Sequence, residues 1–142
     1  MISAGTQIRN GMLEEYLQLL HSMAFELERA MSAIAGNSIH AFEESLANQE
    51  AFSARLVELA ENLSKPSPTD RLVNPAIADD SMMRQVHTAS AALQNLNRRY
   101  SALLKFSSHS VALMVSLLSS YQGQFQEGSG PRLKLQTWSC QI

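Results

Sequence analysis

The 142-residue sequence has one cysteine, one tryptophan and four prolines, and it lacks any long uninterrupted apolar run. Each scarcity removes a class of protein. Cys140, two residues from the end, has no partner for an internal disulfide, which makes a reducing, cytoplasmic setting the expectation. No stretch approaches 18 consecutive apolar residues, and the opening MISAGTQIRNG is polar where a signal peptide would be charged and then apolar. Neither a membrane span nor a signal peptide is expected. With a formal net charge of −2, the chain lacks the basic excess that affinity for phosphate backbones requires, so no nucleic-acid partner is indicated.

Catalytic motifs are missing as well. There is no GxSxG, no phosphate-cradling glycine loop, no CxxC and no HExxH, so nucleophile, nucleotide and zinc chemistries have no anchor. His21, His40, His87 and His109 are scattered, and none forms the Glu-x-x-His of di-iron bundles. His40 with Glu43 and Glu44 has the reversed order and occurs once, which reads as a solvated cluster near a helix start. A tail position denies Cys140 the fixed base that thiol catalysis needs. The expectation is a protein that is not an enzyme and takes no cofactor and no metal.

What the sequence does have is helical periodicity. From about residue 7 to 35, Leu13, Leu17, Leu20, Ala24, Leu27, Met31 and Ile34 recur at alternating steps of four and three, a heptad seam. Met12, Tyr16, Leu19, Met23 and Ala30 form a second row beside it, so this helix should touch two neighbours. Gly36-Asn37-Ser38 then supplies a residue suited to a left-handed cap, a second that tolerates that conformation, and a serine able to cap the next helix. A second helix is predicted over about 38–64, with Ile39, Phe42, Leu46, Gln49, Phe52, Leu56, Leu59 and Leu63 facing one way. An antiparallel hairpin is preferred to a straight continuation, because glycine inside a helix costs about 1 kcal/mol relative to alanine.

Residues 65–80 contain Pro66, Pro68 and Pro75 and read as a linker. Asp79, Asp80 and Ser81 are candidate caps for a third helix over 81–121. Along it Met82, Val86, Ala89, Leu93, Leu96, Tyr100, Leu103, Ser107, Ser110, Met114, Leu117 and Tyr121 keep the four-three rhythm. The glycines from Gly123 onward mark residues 122–142 as a flexible tail, or, in a second reading, a short strand or peptide that docks on a partner through Trp138. The expected fold is all-α: a long antiparallel helical hairpin plus a third long helix, coiled-coil-like, in one domain over 1–121.

The third helix stands apart in charge and in apolar content. Residues 1–64 carry three arginines against nine glutamates, a net of −6, whereas residues 65–142 carry a net of +4. Between Met82 and Tyr121 lie Arg84, Arg98, Arg99 and Lys105 and no acid. Either this helix lies against the acidic hairpin with complementary seam margins, or a charged face recruits another chain. In its second half, Leu104, Val111 and Leu118 flank the seam on one side, Phe106 and Leu113 on the other, and one neighbour does not cover them all. The run Ser107-Ser108-His109-Ser110 makes the seam loose there. The candidate partner surface is therefore Leu104, Val111, Leu113, Met114, Leu117, Leu118 and Tyr121. An amphipathic helix of a protein partner would suit it, since Met-containing surfaces adapt to many shapes. The competing reading is a structural coiled coil that self-associates, for example as a homodimer.

The stretch LERAMSAIAGNSIHAFEESLANQEAFSARLVELAENL, residues 27–63, resembles the FlgN-like flagellar export chaperones. That family has a Leu- and Glu-rich helix ending in a small-residue turn, matched here by Gly36-Asn37. A second helix follows with a polar break, matched by Asn48-Gln49-Glu50. Its long last helix, Asn- and Arg-rich and then Leu-rich, is similar to Leu96-Asn97-Arg98-Arg99-Tyr100 through Leu117, Leu118 and Tyr121. The resemblance covers about residues 7–123. It implies a cytoplasmic chaperone that holds C-terminal helices of hook-filament junction proteins before export. The client surface it implies is Val111, Met114, Leu117, Leu118 and Tyr121.

Overall fold

The computed structural model describes residues 4–66 and 80–127. They form three long helices, α1 (Ala4–Ala35), α2 (Ile39–Ser64) and α3 (Asp80–Glu127), with no strand among the described residues. The chain falls into two compact units, one ending at Leu103 and the other beginning at Leu104. In the first, α1 packs against both α2 and α3.

The turn between α1 and α2 has a defined chemistry. Asn37 N–H donates to Ile34 C=O at 3.2 Å, and Ser38 N–H donates to Ala33 C=O at 2.9 Å. This is the Schellman pair of bonds that satisfies the last carbonyls of a helix. The left-handed residue is Asn37, with φ 52°, and no described glycine has positive φ. Gly36 stays right-handed, one place earlier than a glycine in the left-handed position would sit. Ser38 occupies the N-cap of α2, but its hydroxyl makes no capping hydrogen bond. Its carbonyl accepts the first bond of α2, from Phe42 N–H at 3.1 Å. At the far end, Lys65 leaves the helix in an extended conformation (φ −70°, ψ 124°). Pro66 follows it, and proline excludes α geometry from the residue before it.

Both apolar rows of α1 are buried or half-buried, with Leu20, Leu27 and Ala30 deepest, which is why α1 serves two neighbours. On α2 the expected face needs correction. Counting back from Leu63 by threes and fours gives Leu59, Leu56, Phe52, Gln49, Ser45 and Phe42, and these are the residues turned inward. Ile39 and Leu46 are 73% and 41% exposed, whereas Ser45 is completely buried. A serine takes the seam position because its side chain is small and its hydroxyl donates to Glu26 C=O at 2.7 Å. Ser45 Oγ in turn accepts from Gln49 Nε2 at 3.2 Å.

The polar contacts define an antiparallel hairpin. Asn48 Nδ2 donates to the buried Glu26 Oε1 at 3.1 Å, and Arg29 reaches that oxygen at 3.7 Å and Glu44 Oε2 at 2.6 Å. Nearer the open end, Arg55 grips Glu15 with two bonds, Nε to Oε1 at 2.7 Å and Nη2 to Oε2 at 3.1 Å. Its Nη1 donates to Glu58 Oε2 at 2.8 Å. Two buried polar atoms, Glu26 Oε2 and the Tyr100 hydroxyl, have no protein partner, an arrangement that a bound water commonly completes.

On α3, Leu96 and Tyr100 are buried, and Met82, Val86, Ala89, Leu93, Leu103 and Ser107 are half-buried, so the first half of the seam is a packing face. The expected caps differ: Asp80 is already helical, and Asp79 lies outside the described residues. So do 67–79 of the linker and 128–142 of the tail. Residues 122–127, expected in the flexible tail, continue the helix. A single interior glycine, Gly123, weakens a helix by about 1 kcal/mol without stopping it.

Two outcomes test these assignments. Asn37→Val should lower the stability of the chain by about 1–2 kcal/mol, because a β-branched residue resists the left-handed conformation. Asn37→Gly should leave stability unchanged or raise it, and thermal melts followed by circular dichroism separate the two. Hydrogen bonding from Arg55 lowers the Glu15 carboxyl below its ordinary range. The stabilisation is therefore present above that range and lost as pH falls through the lowered value. Glu15→Gln should melt slightly below the native chain at neutral pH, with the two curves converging as the pH falls through the lowered carboxyl range.

Candidate functional site

Burial along α3 ends abruptly. Every residue from Ser108 to Tyr121 is exposed. Of the fourteen exposed large apolar side chains among the described residues, seven lie here, Val111, Leu113, Met114, Val115, Leu117, Leu118 and Tyr121, and an eighth, Phe106, just precedes them. The others, such as Ile8, Phe25 and Val57, are scattered singly over the hairpin and α3's start, as on any protein surface. A contiguous apolar stretch of this extent is a feature that monomeric surfaces rarely carry without a use.

Of the residues nominated from sequence, Val111, Leu113, Met114, Leu117, Leu118 and Tyr121 are between 52% and 65% exposed, and Leu104 is half-buried. The structure brings all seven onto one helical segment. It adds Phe106 and Val115, at 70% and 57% exposure. Val115 was legible in the sequence by spacing, being four residues after Val111 and three before Leu118. One of the loose seam serines is already satisfied: the Ser110 hydroxyl donates to Phe106 C=O at 2.9 Å, the back-bond that serines make inside helices.

At 100° per residue, the polar side chains Lys105, Ser108, His109, Ser116, Ser119 and Ser120 share one side of the segment, about a third of its circumference. The remaining two thirds is apolar apart from Ser107 and Ser110. Leu104, Lys105, Ser108, His109 and Ala112 line a shallow, open depression on that polar side, too open to enclose a small molecule. Arg98, Arg99 and Lys105 are exposed. No known family, curated protein or solved structure matches this chain.

Two other chemistries bear on the segment. Among the described residues no three His, Cys, Asp or Glu side chains converge as metal ligands do. Of the His40 group, Glu44 is engaged by Arg29. An 18-residue window of α3 has mean hydropathy 1.4 and none of it is buried, so by length and composition it suffices to cross a membrane. No uninterrupted apolar run underlies that average. A lone span in lipid would bury the whole polar third, Lys105 and His109 included, at a cost of several kcal/mol.

The contrast between the two halves of α3 is measurable. Leu96→Ala should destabilise the chain by about 2–4 kcal/mol, as expected for a buried leucine. Leu117→Ala should change stability by no more than about 0.5 kcal/mol. Chemical denaturation of the two variants provides the comparison.

Proposed function

We propose that this chain is a non-enzymatic binding protein that holds an amphipathic helix of a protein partner along the exposed second half of α3. The observation that carries it is the unbroken exposure of Phe106 and Val111 to Tyr121 on a helix whose first half is packed. Covering about half of each of these side chains is worth on the order of 10 kcal/mol before the costs of association. Surface ion pairs contribute about 0–1 kcal/mol each. Apolar contact therefore supplies the affinity, and the basic character of α3 biases the approach.

The finer proposal is a cytoplasmic flagellar export chaperone whose clients are C-terminal helices of hook-filament junction proteins. It rests on the resemblance of residues 27–63 and of α3 to the FlgN-like pattern. Holding an aggregation-prone helix before export needs an exposed, adaptable apolar surface, which Met114 and its neighbours offer.

Calorimetric titration with C-terminal helical segments of junction proteins tests both levels. Saturable binding that weakens at least about tenfold in Leu117→Asp, roughly 1.4 kcal/mol, is the expected result. Absence of heat with every such segment rejects the export proposal.

A further inference from the structure

We draw no further inference here: the strongest candidate, the exposed apolar face at the end of α3 from Phe106 to Tyr121, belongs to the binding surface already proposed, and nothing in the structure shows what covers it.

Discussion

The antiparallel seam between α1 and α2 is the constraint on which the rest of the packed chain depends. Apolar heptads alone tolerate slippage, because one leucine resembles another seven residues away. Here Ser45 donates to a backbone carbonyl at Glu26, Asn48 reaches that residue's carboxylate, and Arg55 clasps Glu15 near the opposite end. A one-heptad shift would strand a buried carboxylate and a buried hydroxyl, each costing more than a leucine contact returns. The register is thus held by a few polar groups, while Leu20, Leu27 and Leu59 supply the burial.

That register in turn shapes α1. Helix α1 packs against α2 and α3, both of its apolar rows are at least half-buried, and Leu96 and Tyr100 are the buried residues of α3. The small residues Ala30 and Ala33, both buried, let backbones approach near the turn, where the Schellman bonds around Asn37 reverse the chain within three residues. Local and tertiary requirements agree at this point, a consistency that favours a single folded state.

α3 obeys the same four-three rhythm along its length, yet its two halves differ in what surrounds them. Rhythm dictates which side chains share a side of the helix and says nothing about what lies against them. In the first half the shared side is packed; in the second it is in water, and the apolar surface widens to about two thirds of the circumference. A helix that becomes more apolar where it is less covered is the feature of this chain that suggests a binding surface. Among the described residues no three His, Cys, Asp or Glu side chains converge as metal ligands do.

Periodicity and punctuation by themselves determined three helices, the hairpin turn, both rows of α1, and the apolar residues of the α3 end, because each is a local property of spacing, glycine and proline. The α2 face was misjudged at Ile39 and Leu46 because apolar identity was weighed above strict period, and Ser45 kept the period. Asn37 took the left-handed place that Gly36 also suited, since the two closing hydrogen bonds depend on where the helix ends. The buried carboxylate of Glu26 and the clasp of Arg55 on Glu15 join residues 19 or more positions apart, and no local pattern announces such pairs. Exposure of the α3 end was likewise decided only in three dimensions: the sequence names an apolar face, and the presence or absence of a neighbour determines whether it becomes core or a site.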